Sequence, residues 1–421
     1  MYLFFKLNVR LLNMEIKTVT TQKFVFGASS LAKIDNKSVF IPYSLPGETL
    51  TINIVQHKND YDNAEIVEII TPSKYRVTPP CKYYGLCGGC NMMHIETNYQ
   101  RQLRKDILCD AFSQFNIDVK DNIEIIFDKD FNYRSRFQFT DGGLSQKKSN
   151  NIIHIKNCLC ATKPINDYLE KQNDENKEKK GQRLHVFATE KLVGDEKIKV
   201  EKPDFSKNVG TVIKGKGKIK KIKENHHFSG TILNEDNEVC VLLKDKKICF
   251  DVRGFFQSNL GVFEKVLSLI CNSLPRGKRV LDMYSGCGSI SVFLSDCFEH
   301  VTLVEHNRDA LVFAEKNMSG KNHTSFGLSG ASFVKNCSKT VQNFDACVVD
   351  PPRSGMEKEV LDYLCTSKIP YIRYLSCDPV TCARDSQKLI KAGYKLEKLY
   401  LLDFYPNTSH IECLAIFNLE N

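Results

Sequence analysis

The chain has 421 residues, 42% of them hydrophobic, and 59 Lys and Arg against 50 Asp and Glu give a net charge of +9. This composition excludes an intrinsically disordered chain, and the length predicts two or three domains. The sequence holds no run of about 18 apolar residues, so a membrane span is not predicted. The basic excess fits simple solubility or a polyanionic partner, and charge alone does not decide between them.

The chain contains 17 cysteines, and their use depends on the compartment. The opening MYLFFKLNVRLLNM is broken by Lys6 and Arg10 and lacks a small-residue cleavage site, so it does not predict a secretory signal. We therefore expect a reducing, cytoplasmic compartment, where cysteines serve metal binding, catalysis or packing rather than disulfides. Whether Met14 is the first residue of the protein is left open.

Residues 15–71 are predicted to form a small β-domain. The stretch SVFIPYSLPGETLTINIVQ alternates in polarity, turns at Pro46-Gly47 and alternates again, and AEIVEIITPS closes the segment. Short strands with interspersed lysines are typical of a small barrel that binds oligonucleotides. Any other small β-domain would show the same pattern.

Residues 72–252 are predicted to form a mixed α+β domain. It begins with the cysteine-rich CKYYGLCGGC, continues with the helix-like ETNYQRQLRKDILCDAFSQF, and includes the strand-like FNYRSRFQFT and NNIIHIKN. KQNDENKEKKGQR predicts a solvated linker. The lysine-rich run KGKGKIKKIK, residues 214–223, is either an exposed loop or a contact for phosphates.

Residues 253–421 show the alternation of strands and helices that predicts a doubly wound, mostly parallel sheet. KRVLDMYSGCGSISVFLSDCF contains a strand, a glycine turn and a helix, and HVTLVEHNRDALVFAEKNM repeats the scheme. FDACVVDPPRSG and IPYIRYLSCDP supply two more strand ends. The fold class is therefore α/β in this part of the chain.

The glycine turn predicts a nucleotide-type cofactor pocket. Gly286 and Gly288 lie where a side chain would block close approach of a ligand, and Glu305 follows at the distance expected for an acid on ribose hydroxyls. A dinucleotide dehydrogenase would need a third glycine where Ser291 stands. Asp282 before the glycines also suits S-adenosylmethionine better than a pyrophosphate.

Two of the predicted strands end at residues with reactive side chains. Asp350 ends one strand and begins DPPRSG, which is either a rigid loop or part of the site. Because Arg353 occupies the position that an aromatic residue has in many amino-group methyltransferases, that chemistry loses support. Cys377 ends the next strand, so we expect its thiol near Asp350 and the cofactor.

Cys81, Cys87 and Cys90 are separated by five and then two residues, with glycines that let the loop curl. Three cysteines this close predict a metal site in a reducing compartment. Zinc is a natural candidate, and ferredoxin spacings do not match, so the spacing leaves the metal open.

Three motifs of the chain occur in the same order as in a known enzyme family. DPPRSG, SCDPVTCARD and SHIECLAIF resemble the RNA uracil-5-methyltransferase family, closest to its bacterial 23S ribosomal RNA enzymes. The likeness extends from about Glu15 to the C-terminus, and the N-terminal barrel resembles a TRAM domain. It implies a C-terminal Rossmann-like domain, residues 253–421, that uses S-adenosylmethionine.

The resemblance implies a covalent mechanism. Cys377 matches the nucleophile that adds to carbon 6 of uracil, so that carbon 5 can accept the methyl group, and Glu412 matches the base that removes the carbon 5 proton. Asp378 would oppose a thiolate if it pointed inward, so we expect it to bond backbone. Cys382 is expected to pack in the following helix.

The resemblance also implies binding residues. Cofactor contacts are expected from Gln257, Tyr284, Gly286, Glu305, Asn336 and Asp350. Phe255 or Phe256 would stack near the target base or pack in the core, and Arg134, predicted to share a strand face with Arg136, would contact RNA. A [4Fe–4S] cluster is expected on Cys81, Cys87 and Cys90, with Cys158 favoured over Cys160 as the fourth ligand.

The leading hypothesis is a monomeric, cytoplasmic, S-adenosylmethionine-dependent 23S rRNA uracil-5-methyltransferase. One alternative is a transfer-RNA enzyme with the same chemistry, although such enzymes usually lack both the cysteine cluster and the barrel. Another is an iron–sulfur RNA-binding protein without methyl transfer, which the combination of Cys377, Glu412 and the glycine loop disfavours.

Overall fold

The computed structural model describes residues 15–172, 183–202, 237–338 and 341–420. The N-terminal residues 1–14, most of the predicted charged linker and the lysine-rich run at 214–223 lie outside these described residues. The chain divides into two compact units. The first comprises residues up to Lys120 with 144–153 and 405–411, and the second comprises 121–143, 154–404 and the chain from residue 412 onward.

The first unit contains a six-stranded, mainly antiparallel sheet in the order β1-β5-β6-β4-β3-β2. Alternating apolar residues of these strands, including Val39, Leu50 and Ile52, are fully buried in one core. This curled sheet is consistent with the predicted small barrel. Its strands are β1 (Glu15–Thr20), β2 (Lys23–Val25), β3 (Ser29–Ile34), β4 (Lys37–Pro42), β5 (Thr49–His57) and β6 (Tyr61–Thr71).

The same unit continues with helix α1 (Thr97–Ser113) and the hairpin strands β9 (Leu144–Ser145) and β10 (Ile152–Ile153). The carboxylate of Glu96 caps α1 by accepting from the backbone N–H groups of Asn98 and Tyr99. The first unit thus extends well past residue 71. The three-domain division at 71/72 and 252/253 stays a prediction, since the two compact units have no boundary at either place.

The second unit is built on an eight-stranded sheet in the order β17-β16-β15-β18-β19-β21-β20-β7. The strands from β15 to β19 are parallel to their neighbours, and β21 is antiparallel to both β19 and β20. The strands are β7 (Ile123–Ile126), β15 (Gly277–Met283), β16 (Phe298–Val304), β17 (His323–Phe326), β18 (Ala346–Val349), β19 (Tyr371–Ser376), β20 (Tyr394–Leu402) and β21 (Glu412–Leu419). The prediction of a mostly parallel α/β sheet is confirmed.

Helix α3 (Leu260–Asn272) precedes β15, and further helices connect the strands that follow in chain order from β15 to β20. The connecting helices are α4 (Ser291–Leu294), α5 (Arg308–Asn317), α6 (Gly330–Asn336), α7 (Lys358–Ser367) and α8 (Pro379–Lys391). The strands bury continuous apolar runs, and all four residues of β18 are buried. No helix among the described residues is long and apolar enough to cross a membrane.

The second unit also holds smaller elements. A three-stranded sheet, ordered β12-β11-β8, is formed by β8 (Arg136–Thr140), β11 (Arg183–Ala188) and β12 (Ile198–Val200), with helix α2 (Lys163–Gln172) nearby in the chain. A separate two-stranded hairpin is formed by β13 (Glu238–Leu243) and β14 (Lys246–Asp251).

The expectation that the cysteines avoid disulfides is wrong at one place. Cys240 and Cys249 form a disulfide across the β13–β14 hairpin. The antiparallel register sets these two residues directly opposite each other, so their side chains meet. The other fifteen cysteines are free thiols.

Candidate active site

The loop after β15 brings together two features that the sequence predicted. Gly286 and Gly288 have φ values of +55° and +74°, in the left-handed region where only glycine is unstrained. The N–H of Gly286 donates to Oε2 of Glu305 at 2.9 Å. A Cβ atom added to Gly286 would meet no atom within 4 Å, so this glycine faces open space. The glycine loop after β15 and the acid after β16 therefore lie next to each other.

Three acidic groups create a negative field at this edge of the sheet. Burial raises the pKa of Asp282 to about 7, and its Oδ1 has no hydrogen-bond partner. Burial also raises the pKa of Asp350 to about 7, and the charges of Asp282 and Glu305 raise it further. A cation placed among these carboxyl groups would favour their ionised forms. The arrangement suits a positively charged ligand.

The antiparallel pairing of β19 with β21 aligns Cys377 with Glu412. Ser376, the last residue of β19, pairs with Cys413, so the next residue in each direction is Cys377 and Glu412. Opposite residues of such a pair have Cβ atoms about 4.5–5.5 Å apart. The predicted nucleophile and the predicted base, 35 residues apart in sequence, therefore face each other at the edge that carries Asp350.

Burial raises the pKa values of both Cys377 and Glu412. Burial raises the pKa of the Cys377 thiol to about 11, and the charges of Glu412 and Asp350 add to this rise. Burial likewise raises the pKa of Glu412 to about 8, with a further contribution from Asp350. The thiolate and the carboxylate compete, because each negative charge disfavours the other.

Arg353 opposes the rise in the pKa values of Cys377 and Glu412. The sequence did not predict it as a site residue. Its positive charge lowers the pKa values of Cys377 and Glu412. The sequence shows that Arg353 lies in DPPRSG, directly after the strand that ends near Asp350, but no local feature links it to Cys377.

The neighbours of the thiol behave as expected. Oδ1 of Asp378 accepts from the N–H groups of Val380 and Thr381, so this carboxylate caps α8. Cys382 is fully buried in α8 and its thiol contacts that of Cys413. Both side chains have structural contacts of their own. Cys377 is the half-buried thiol at the strand end.

The residues of the stretch FFQSN lie in different environments. Phe256 is buried and stacks on Phe250 with ring centroids 3.8 Å apart, whereas Phe255 is 69% exposed. Gln257 is buried, and its Oε1 has no hydrogen-bond partner. The structure thus assigns Phe256 to the core and leaves Phe255 available to a ligand.

Two predicted cofactor contacts have other partners. Tyr284 directs its hydroxyl toward Glu357, donating to Oε2 at 3.4 Å. Asn336 is the last residue of α6, and its Nδ2 donates to the carbonyl of Ser332 at 2.9 Å. Because α6 begins just after β17 and rises about 1.5 Å per residue, it carries Asn336 about 9 Å away from its own start. A contact between Asn336 and the cofactor stays a prediction.

Arg134 lies just before β8 rather than on it. Its Nε donates to the carbonyl of Arg136 at 3.2 Å, and its guanidinium lies 4.7 Å from the ring centroid of Phe137. Arg134 forms isolated β-bridges with Ala161 and Asn259, and β8 begins two residues later at Arg136. That the two arginines share one strand face stays a prediction. Arg134 remains partly exposed.

Cys81, Cys87 and Cys90 lie in turns of the first unit and are partly exposed free thiols. The N–H of Gly89 donates to Sγ of Cys87 at 3.4 Å, a contact that stabilises a thiolate. A tetrahedral zinc ion needs sulfur atoms about 3.8 Å apart. Among the described residues these three sulfurs do not form a set within 4.8 Å of one another.

Other residues near the cysteines differ in accessibility. His94 is buried, forms a 2.6 Å hydrogen bond through Nδ1 with the hydroxyl of Tyr84, and has its pKa lowered to about 3 by burial. In the second unit the thiols of Cys158 and Cys160 contact each other. Cys160 is 2% exposed and Cys158 is more exposed, so Cys158 is the more accessible ligand.

Comparison with known proteins identifies the family of the chain. The family model described as tRNA (Uracil-5-)-methyltransferase matches residues 99–419. An "Uncharacterized RNA methyltransferase" of Treponema denticola is 36% identical, covering 96% of this chain and 99% of that protein. A "23S rRNA (uracil(1939)-C(5))-methyltransferase RlmD" of Shewanella sp. (strain MR-4) is 28% identical, covering 93% of each.

A solved structure has the same fold. The Pyrococcus abyssi tRNA (uracil-54, C5)-methyltransferase in complex with S-adenosyl-L-homocysteine has a TM-score of 0.70 and 20% identity, covering 95% of this chain and all of that chain. With the family model matching most of the sequence, the chain belongs to the tRNA (uracil-5-)-methyltransferase family of S-adenosylmethionine-dependent RNA-modifying enzymes.

Proposed function

We propose that this enzyme methylates carbon 5 of a uridine in 23S rRNA through a covalent bond between Cys377 and carbon 6 of the base, with Glu412 as the general base. The observation that carries the proposal is the β19–β21 register, which aligns the thiol with the carboxylate at the edge where Asp350 lies. The charge of Glu412 contributes to the raised pKa of the Cys377 thiol, which is consistent with the two groups being neighbours.

The thiol begins the reaction. Carbon 5 of uracil is too weak a nucleophile to accept a methyl group directly. Attack of the Cys377 thiolate on carbon 6 makes carbon 5 enolate-like, and carbon 5 can then bond to the methyl group. Because the thiol pKa is about 11, thiolate formation needs favourable charge, and Arg353 supplies it from within the chain.

Glu412 completes the reaction. After methylation carbon 5 carries both a proton and the methyl group. The carboxylate of Glu412 takes that proton, the electron pair re-forms the double bond, and the bond between carbon 6 and Sγ of Cys377 breaks. A buried carboxyl group with a pKa near 8 is a stronger base than an exposed one, which suits abstraction from carbon.

The acidic edge would hold S-adenosylmethionine, which supplies a methyl group activated by a sulfonium cation. Gly286 leaves room for close approach, Glu305 is positioned for ribose hydroxyls, and Asp282 and Asp350 provide negative charge. The unpartnered Oε1 of Gln257 is a further acceptor for this ligand. Tyr284 would contribute through its ring, since its hydroxyl is used by Glu357.

RNA would be held by exposed aromatic and basic groups. Phe255 offers an exposed ring for stacking on an extruded base, and Arg134 offers a partly exposed cation. The small β-domain at residues 15–71, proposed to be a TRAM domain, would add affinity for the backbone. We expect binding to weaken as salt rises.

The proposed cluster is [4Fe–4S] on Cys81, Cys87 and Cys90, with Cys158 as the fourth ligand that the family resemblance supplies. The family resemblance and the N–H to sulfur contact at Cys87 support it, and these four cysteines are not disulfide-bonded. The cluster has no step in the methylation, and we propose a structural role. A cytoplasmic location and a monomeric state stay predictions.

The chosen test is trapping with 5-fluorouridine. Fluorine cannot leave as a proton, so a 23S rRNA fragment carrying it should stay bonded to Cys377, and intact mass spectrometry should show protein plus methylated RNA. The Cys377→Ala variant is the matched control and should give no adduct. A wild-type protein without adduct under conditions of normal turnover would refute the covalent scheme.

Ribosomal and transfer RNA are separated by a second measurement. Purified 23S rRNA and bulk tRNA from a strain lacking the gene are each incubated with labelled S-adenosylmethionine, and nuclease fragments are mapped by mass. Label on 23S rRNA alone supports the proposal, and label on tRNA alone supports the transfer-RNA alternative with the same chemistry.

A further inference from the structure

The β13–β14 hairpin is joined by the disulfide between Cys240 and Cys249, and its two cysteines differ in access. Cys240 is partly exposed, whereas Cys249 is 3% exposed. Outside the hairpin, β13 exchanges backbone hydrogen bonds with Lys191 and Val193, whereas among the described strands β14 pairs only with β13. The disulfide is therefore the covalent link between β14 and the strand that has pairing on both sides.

Asn317, the last residue of α5, connects that disulfide to the glycine loop. Its Oδ1 accepts from the N–H of Cys249 at 2.8 Å, and its Nδ2 donates to the carbonyl of Cys249 at 2.7 Å. The same Nδ2 donates to the carbonyl of Cys287 at 2.8 Å. Cys287 lies between Gly286 and Gly288. One side-chain amide therefore ties the backbone of the disulfide-bonded strand to the loop proposed to hold the cofactor.

Helix α5 also fixes this loop by packing. A Cβ atom on Gly288 would lie 3.2 Å from Cβ of Ala314, so the loop approaches the helix as closely as glycine allows. Ala314 and Asn317 are three residues apart and share one face of the helix. A second link joins helix and hairpin, an ion pair of 2.5 Å between Lys316 and Glu238. The loop position thus depends on how α5 and β14 fit together.

We propose that Asn317 is a positioning residue of the cofactor site, and that through it the redox state of the Cys240–Cys249 pair changes the affinity for S-adenosylmethionine. The inference rests on the proposed assignment of the Gly286–Gly288 loop to the cofactor. A reduced hairpin holds Cys249 less firmly, so the Asn317 amide holds the Cys287 carbonyl less firmly. Reduction therefore weakens cofactor binding.

The chemistry is thiol–disulfide exchange with a low-molecular-weight thiol. Its thiolate attacks Sγ of the more exposed Cys240, the sulfur–sulfur bond breaks, and Cys249 leaves as a thiolate that takes a proton. A second thiolate attacks the mixed disulfide, releasing the Cys240 thiol. Two small thiols are oxidised to one small disulfide, and the protein disulfide is reduced to two thiols.

The test is a double-mutant cycle on S-adenosylhomocysteine binding, measured by calorimetry with full-length protein in one reductant-free buffer. Asn317→Ala removes two donated hydrogen bonds and one accepted bond near the loop, and we expect about a tenfold higher Kd. Asn317→Asp keeps the acceptor for Cys249 but loses both donors, so it should weaken binding at least as much. The Cys240→Ser/Cys249→Ser variant should raise Kd about threefold, and Cys365→Ser is the control without effect.

The coupling between the disulfide and Asn317 is measured in a variant that combines Asn317→Ala with Cys240→Ser/Cys249→Ser. If the disulfide acts through Asn317, the cysteine substitutions add nothing in the Asn317→Ala background. Turnover assays should show a raised KM for S-adenosylmethionine, with kcat at saturation and KM for RNA within twofold, which a general loss of structure would not give. Melting temperatures identify variants that do not fold.

If the double cysteine variant does not fold, wild-type protein is compared before and after mild reduction, with alkylation and mass spectrometry reporting the state of Cys240 and Cys249. A rise in Kd that follows their reduction supports the coupling. Independent, additive effects, an unchanged Kd in Asn317→Ala, or free thiols at both positions before reduction would overturn it. Wild-type protein that binds no S-adenosylhomocysteine would instead overturn the proposed cofactor site.

Discussion

Replacing Glu412 with Gln should make Cys377 a better nucleophile toward a small electrophile while stopping turnover. The two side chains face each other across β19 and β21, and the carboxylate charge raises the thiol pKa. Glutamine has nearly the same shape without the charge. The thiol pKa of the variant should therefore fall below its wild-type value of about 11.

The size of the fall follows from the geometry. Opposite side chains on paired strands place the two charges about 6 Å apart, and at an effective dielectric constant of about 20 their repulsion is about 2.8 kcal/mol, or about two pKa units. Cys377 is partly exposed, so solvent screening reduces this to about one unit. A thiolate of lower pKa is also intrinsically less nucleophilic, which leaves about a threefold faster reaction per unit of pKa.

The pH dependence provides the sharpest test. The pKa of Glu412 is about 8, so below pH 7 the carboxyl group is mostly protonated and the two proteins should react alike. Above pH 8 the wild-type carboxylate is ionised and slows thiolate formation. The rate ratio of variant to wild type should rise from about one at pH 6.5 to about threefold at pH 9.

The assay is alkylation by iodoacetamide, followed at the Cys377 peptide by mass spectrometry between pH 6.5 and 9. Glu412→Asp keeps the charge and should stay close to wild type, and the peptide of Cys365 serves as the internal reference. Equal rates at pH 9, or a slower variant, would show that the carboxylate and the thiol are not neighbours in solution. Methyl transfer by Glu412→Gln should fall by about 100-fold or more, because the general base is lost.

The remaining predictions concern the nucleophile, the aromatic pair and the metal. Cys377→Ala should abolish turnover while RNA affinity stays within about tenfold, and activity in this variant would remove the thiol from the mechanism. Phe255→Ala should lower kcat/KM for RNA by about 5-fold to 150-fold with little change in unfolding free energy, whereas Phe256→Ala should cost about 3–5 kcal/mol in unfolding free energy. The purified protein should be brown with iron and sulfide near four each per chain, and one equivalent of zinc would contradict the cluster. Iron should be retained by Cys160→Ser and lost on serine substitution at Cys81, Cys87, Cys90 or Cys158.

The sequence predicted the α/β fold of residues 253–421 because the patterns that indicate it lie within short stretches of the chain. Strand, glycine turn and helix at KRVLDMYSGCGSIS need only neighbouring residues to be recognised, and parallel strands present their ends at one edge. Cys377 and Asp350 were therefore placed correctly at strand ends from the chain alone. The curled N-terminal sheet was also anticipated, since its alternation and its Pro46-Gly47 turn are short-range features.

The environment of a side chain depends on packing that the sequence does not show. Asn336, for example, donates a hydrogen bond to the carbonyl of Ser332 within α6. Phe255 and Phe256 are adjacent and chemically identical, and only the stacking partner Phe250 decides which is buried. Arg353 carries no local mark of its effect on the thiol, because that effect depends on residues far along the chain.

By itself, the sequence determined the kinds of residue available and the order of the elements that carry them: a glycine loop, an acid at each strand end, a thiol and a C-terminal glutamate. Only the tertiary structure decided which of these meet. The β19–β21 register pairs residues 35 positions apart, and the β13–β14 register pairs Cys240 with Cys249. Strand register and burial set distances and pKa values, and both depend on long-range packing that no short stretch of chain encodes.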